Sequence, residues 1–255
     1  MEEKKKTLWY FAYGSNMSTA KFTGSRGIVP LDKTLVRLPG WMLAMQIPGL
    51  PYSEPAFSSI SPQPVAKPET SMNPDVVGVA YLITEDQYNH VIGSEGGGTA
   101  YNDISLLGRI IGEEAKGGNG SMEIPVRTLG TAMKRQPCPV PSARYMDLLI
   151  SGGREACLPP DYQQYLLSMS VYEPPKSNWT KLGALVFLTI WGPVMQMLEK
   201  LTLKSIGRDG HAQWHVIYLV RFVMCIIWAS HDYLFAPLFG RGDGLHPDDE
   251  NKELA

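Results

Sequence analysis

YFAYGSNMS, Tyr10 to Ser18, runs an apolar strand straight into a turn built of small, permissive residues. Leu8 to Tyr13 form a short aromatic-rich run of strand character, which Gly14, Ser15 and Asn16 break with residues that favour turns. Ser18 then stands where it can cap a short helical turn through Thr19, Ala20, Lys21 and Phe22. Strand, small loop and helix start aim successive backbone N–H groups at one point, and such a concavity binds phosphate or carboxylate. The expected ligand therefore carries an anion. Taken alone, the stretch reads equally well as an ordinary strand-to-helix turn.

Composition narrows the partners. The 255 residues, 44% hydrophobic and 19% charged, suffice for one large domain or a domain with an appendage. A net charge of -2, from 23 basic and 25 acidic residues, gives no field for a polyanion, so nucleic acid is not expected as a partner. MEEKKKTLWY at the N-terminus lacks the apolar core of a secretory signal, which points to a cytoplasmic protein. Cys138, Cys157 and Cys225 have no C-x-x-C pairing and read as free thiols, neither a disulfide framework nor a zinc site. The glycosylation-like triplets at Asn16, Asn119 and Asn178 are then chance matches.

Further along, residues 48–74 are rich in proline and serine and read as a long irregular surface excursion, either a lid or a floppy insertion. Val76 to Ile83 (VVGVAYLI) is an almost continuous apolar run, the mark of a strand buried on both faces. Thr84 with Gln87 forms a capping box, so a short helix starts there, buries Tyr88, Val91 and Ile92, and ends at Gly93. Glu95 follows, ahead of Gly96, Gly97 and Gly98. Its neighbours are too small to shield it or pair with it. At the bottom of a pocket, desolvation would raise its pKa toward neutrality, where a carboxylate can both accept and return a proton. On a flexible surface loop it would do neither.

YFAYGSNM followed by a strand, a short helix and EGGGTAY resembles the gamma-glutamylcyclotransferase family. Pro141 to Met169 (PSARYMDLLISGGREACLPPDYQQYLLSM) looks like that family's closing pair of helices, so the resemblance covers Leu8 to Tyr172. It implies an α+β fold, a small mixed β-barrel with surrounding helices, and conversion of a gamma-glutamyl amide into 5-oxoproline and a free amine without cofactor or metal. By the same resemblance Tyr10, Phe11, Ala12, Tyr13, Gly14 and Ser15, with Asn16 beside them, cradle the substrate, Glu95 is the acid/base, and Tyr145 contacts the substrate. Tyr101 falls where the family often has another pocket tyrosine. The expected partner is thus a small gamma-glutamyl molecule. Arg127 to Pro141 lacks the tyrosines the family tends to place there, which leaves contacts from that strand open.

Residues 7–172 are accordingly read as the catalytic domain and 173–255 as a linker and apolar helical extension that compact members lack. Leu182 to Leu198 is 17 residues long and interrupted by Gly192-Pro193, and Val216 to Ala229 carries Arg221 near its middle. Helices docked over the core or pocket are therefore expected ahead of membrane association; a hydrophobic homodimer surface is a further reading. His211 and His215 read as solvated or capping rather than metal ligands, His231-Asp232 as an orienting pair with no nucleophile attached, and Arg241-Gly242-Asp243 as a polar turn. The extended form looks like the fungal subset of the family in biosynthesis of gliotoxin-type toxins, which implies a glutathione S-conjugate as substrate. A general gamma-glutamyl peptide or glutathione cyclotransferase, a non-catalytic carboxylate-binding module and a hydrolytic amidase are the alternatives.

Overall fold

The computed structural model describes residues 6–64, 73–111 and 122–245. Asn119 and part of the proline-rich stretch fall outside them. Six strands, β1 (Thr7–Ala12), β2 (Asp32–Leu50), β3 (Glu54–Pro62), β4 (Asp75–Thr84), β5 (Tyr101–Ile111) and β6 (Glu123–Thr131), form one sheet in the order β3-β2-β4-β1-β6-β5. Pairing of Leu35 in β2 with Ile111 in β5 closes five of them into a barrel, with β3 left outside the ring. The barrel is mixed, because β1 runs parallel to β6 and antiparallel to β4. This is the expected architecture.

One long strand does the closing. Register shifts between Leu38 and Met42 and between Ala44 and Ile47 bend β2, and at the first of them Gly40 takes a φ of 75° that a side chain would strain. The first half of β2 then pairs with β4 and β5, the second half with β3.

The surface excursion expected over residues 48–74 is corrected by β3. Glu54–Pro62 is a strand with Ala56, Ser58, Ser59 and Ile60 buried. Proline lacks a ladder donor, yet Pro55 and Pro62 sit in a strand that, among the described residues, pairs only with β2, the edge position where proline is tolerated.

Helix α1 (Glu85–Ser94) starts at the expected Thr84–Gln87 capping box and buries Tyr88, Val91 and Ile92. Helices α2 (Ala143–Glu155) and α3 (Pro160–Ser168) form the closing pair. After β1 the chain makes a tight turn at Ser15–Met17 and a wide one at Ala20–Ser25. Ser18 caps neither with its side chain; the Glu155 carboxylate takes the Thr19 N–H instead at 2.8 Å.

The extension folds as α4 (Asn178–Ser205) and α5 (Trp214–Ser230), the latter running on through a wide turn at His231–Phe235 into α6 (Ala236–Phe239). Both segments are long and apolar enough to cross a membrane by length and composition, with 22% and 28% of their most apolar windows buried. Their inner faces build a second, smaller core of Ala184, Phe187, Met224, Ile227, Trp228 and Phe235 around Tyr52. Trp228 donates to the Gly49 carbonyl at 3.0 Å, and Arg135 stacks 3.9 Å over its ring while holding Asp232 through two 2.9 Å bonds. The Arg-Gly-Asp tripeptide, read as a polar turn, lies in a bend that packs inward. Asp243 is fully buried, paired with Arg241, and its carbonyl accepts from Val140 N–H at 2.9 Å. A Cβ on Gly242 would lie 2.3 Å from the Tyr52 ring, so only glycine lets this segment close on the barrel. His231, also buried, accepts the Gly242 N–H at Nε2, which leaves Nδ1 to donate to Asp232 at 2.8 Å. Although His231, Asp232 and Asp243 lie close enough together to share an ion, each is already engaged in these contacts.

Candidate active site

Beside the Gly14–Asn16 turn lies a small cavity of about 30 Å³, lined by Tyr10, Tyr13, Gly14, Ser15, Asn16, Ser58, Glu95, Tyr101, Leu129 and Tyr145. Eight of the ten residues expected to act together meet there. The other two do not: Phe11 and Ala12 are in the barrel core, 0% and 1% exposed, and line neither this cavity nor its neighbour. Phe11 lies so close over Gly78 that a Cβ there would come 3.0 Å from its ring, so its side chain is spent on packing.

The turn presents what its sequence promised. Ser15 and Asn16 open a short helical turn, where N–H groups have no intrahelical acceptor, and among the described residues these two donate to none. Gly14 is required by close approach, because a Cβ would sit 2.6 Å from Ser58 Oγ. Ser58 and Tyr145 share a 2.6 Å hydroxyl contact, Ser58 N–H donates to Tyr145 at 3.1 Å, and Tyr101 donates to the Ser58 carbonyl at 3.0 Å. Ser58 thus ties β3 to two of the pocket's four tyrosines. It went unread because its stretch looked like loop.

Glu95 is not the unpartnered carboxylate that its glycine neighbours suggested. Arg26, from the far end of the Ala20–Ser25 turn, pairs with Glu95 Oε1, and Asn16 Nδ2 donates to the same oxygen at 3.0 Å. Arg26 also donates to Asn16 Oδ1 at 3.0 Å and to Ser94, while Asn16 Nδ2 reaches Tyr10 OH at 2.8 Å. Sequence neighbours were small, but a counter-charge comes from a distant turn. What the arrangement supplies is orientation. Oε1 is held by two donors, and Oε2 takes no hydrogen bond from the described residues.

The tyrosines are neutral hydrogen-bonding walls. Burial pushes Tyr145 up to about 12 and pushes Tyr10, Tyr13 and Tyr101 well above the usual tyrosine range, with the Glu95 charge acting in the same direction. Unfolded tyrosine ionises near pH 10, so above that the unfolded chain binds fewer protons than the folded one. This stability is fully present below about pH 10 and is lost as pH rises toward 12, at up to about 1.4 kcal/mol per unit for each such tyrosine. Urea midpoints at pH 9 and pH 11 are expected to differ in that sense.

Ser15, Glu95, Tyr101 and Tyr145 also border a larger chamber of about 520 Å³. Ile47, Pro48, Leu50 and Phe57 wall it from β2 and β3, Met133 from beyond β6, and Met195, Val220 and Met224 from the extension helices. Lys21, Arg26, Ser53, Glu54 and Arg144 also line it, so the wall is mixed, with apolar side chains contributing much of it.

Comparison with known proteins agrees with this construction. Residues 177–238 match the family model described as the AclK C-terminal domain. The chain is 38% identical over 255 residues to gamma-glutamyl cyclotransferase aclK of Aspergillus oryzae, covering 96% of this chain and 93% of that protein. It is 34% identical over 246 residues to gamma-glutamyl cyclotransferase gliK of Aspergillus fumigatus, covering 93% and 89%. A solved gamma-glutamyl cyclotransferase superposes with a TM-score of 0.52 at 20% identity, over 68% of this chain and 92% of that one, which shows the shared fold. With near-complete coverage at such identity, the chain belongs to the gamma-glutamyl cyclotransferase family.

Proposed function

We propose that the protein releases 5-oxoproline from the gamma-glutamyl arm of a glutathione S-conjugate whose other substituent is apolar. The observation that carries this reading is the union of the two cavities. The inner space suits a single small polar group such as an alpha-carboxylate, held by Ser15 and Asn16 N–H, while the chamber of about 520 Å³ offers an apolar wall to whatever the departing amine carries.

The chemistry follows from holding the glutamyl chain curled. Glu95 takes a proton from the alpha-ammonium, the freed amine attacks the side-chain carbonyl, and the ring N–C bond forms. The amide C–N bond then breaks as a proton reaches the departing nitrogen. Two protons pass from one nitrogen to the other, and one carboxylate oxygen relays each in turn. The reaction is intramolecular, so positioning supplies much of the rate, and the turn's N–H groups can also stabilise the developing oxyanion.

The test is the product from two substrates. 5-Oxoproline release from a bulky apolar S-conjugate is expected to exceed that from free glutathione in kcat/KM. Preference for free glutathione would sink the conjugate reading, and release of glutamate would mark an amidase instead.

A further inference from the structure

The loop that carries Glu95 closes on α1 through the Glu95 and Gly97 N–H groups, which donate to the Val91 and Ile92 carbonyls at 3.0 and 2.9 Å, and on itself where Thr99 N–H meets the Gly96 carbonyl at 3.1 Å. Gly96, Gly97 and Gly98 take φ values of 88°, 57° and 89°, all in the region that only glycine enters freely. Residues this permissive lose the most entropy on ordering, so contacts from outside add to what the loop's own bonds hold.

Those contacts come from the extension. Ala212 N–H donates to the Gly97 carbonyl at 2.9 Å. Arg221 donates to the next two carbonyls in line, Nη2 to Gly98 at 3.0 Å and Nε to Thr99 at 2.9 Å. Three successive carbonyls of the loop are thus bound from α5 and the segment leading into it. The glycines are also what lets the extension approach: a Cβ on Gly97 would lie 2.7 Å from Ala212 N, and one on Gly98 3.3 Å from the His211 ring.

Arg221 is otherwise hard to account for. It stands mid-way along an apolar helix, between Val220 and Phe222, and among the described residues it pairs with no carboxylate. A half-buried guanidinium without a counter-charge is costly unless its donors are used, and a planar fork suits two adjacent carbonyls where a lysine ammonium does not.

We propose that Arg221 is a positioning residue for Glu95, and that the helical extension thereby completes the active site rather than merely roofing it. The proposal rests on the reading that Glu95 carries the proton transfers. It predicts that the extension sets kcat through the Gly96–Thr99 loop, apart from any contact with the substrate.

The test compares full-length Arg221→Met and Arg221→Lys with the wild type and with Glu95→Gln. Arg221→Met keeps the apolar reach and removes the donors; kcat is expected to fall about 10- to 100-fold, the loss typical of a small misplacement, with KM within about threefold. Arg221→Lys, with one compact donor group, is expected to recover part of that kcat. Amide exchange over residues 95–99 should accelerate in the methionine variant while that of β4 does not. An Arg221→Met protein with wild-type kcat overturns the proposal. If it fails to fold, wild-type kcat and loop exchange in the lysine variant do the same. Glu95→Gln separates the two readings: if it retains full activity, the role of Glu95 itself is wrong, whereas an inactive Glu95→Gln beside a fully active Arg221→Met rejects the positioning role alone.

Discussion

Glu95→Gln is expected to lose about 10²- to 10⁴-fold in kcat for 5-oxoproline release, the range set by removing a general acid/base. The structure makes this substitution unusually clean. A glutamine amide oxygen can take the place of Oε1 and still accept from Arg26 and from Asn16, so the network through Asn16 to Tyr10 keeps its anchor. What is removed is the capacity to take up and return a proton, together with the charge that faces Arg26. The fold and the affinity for a gamma-glutamyl ligand are therefore expected to persist, which steady-state kinetics, a thermal melt and a binding titration will read separately. Activity close to wild type would take Glu95 out of the chemistry, and unchanged affinity alongside it would favour a binding module.

What could be read from the chain follows how far apart its interacting groups lie in sequence. The β1 strand, the Thr84–Gln87 cap and the buried run of β4 announce themselves because their signals are local: an apolar run, a three-residue spacing, an aromatic cluster. Strand β3 hid behind Pro55 and Pro62, since proline argues against a strand unless one knows that it will lie at an edge. Arg26 gave no signal at all. Its partner is 69 positions away, and nothing in GSRG sets an ion-pairing arginine apart from a solvated one. Arg221 was noticed but read only as a charge that discourages membrane insertion; its use became visible once α5 was seen beside the Gly98 and Thr99 carbonyls. The tyrosine-poor segment after β6 contributes Met133 to the chamber, an apolar contact.

Phe187→Ala is expected to cost about 3–5 kcal/mol, the usual range for a fully buried phenylalanine, and to release the extension before the barrel. Phe187 is 0% exposed and lies at the centre of the second core, with ring centroids 5.2 Å from Tyr52, 5.0 Å from Phe235 and 6.2 Å from His231. That core is small, and the barrel core contains none of its members, so the loss falls on the docking of α4 and α5. Two consequences separate this variant from general destabilisation. Amide exchange in α4 and α5 should accelerate far more than in β4, and kcat should fall with it, because Met195, Val220 and Met224 leave the chamber and Arg221 leaves the Glu95 loop. Leu185→Ala on the outer face, where the side chain is 64% exposed, should change stability by no more than about 0.5 kcal/mol. Extension and barrel lost together in a single transition, with uniform acceleration of exchange, would show that the two cores form one cooperative unit. Separate transitions, the higher one unchanged from wild type, would show that the active site depends on a layer less stable than the barrel it completes.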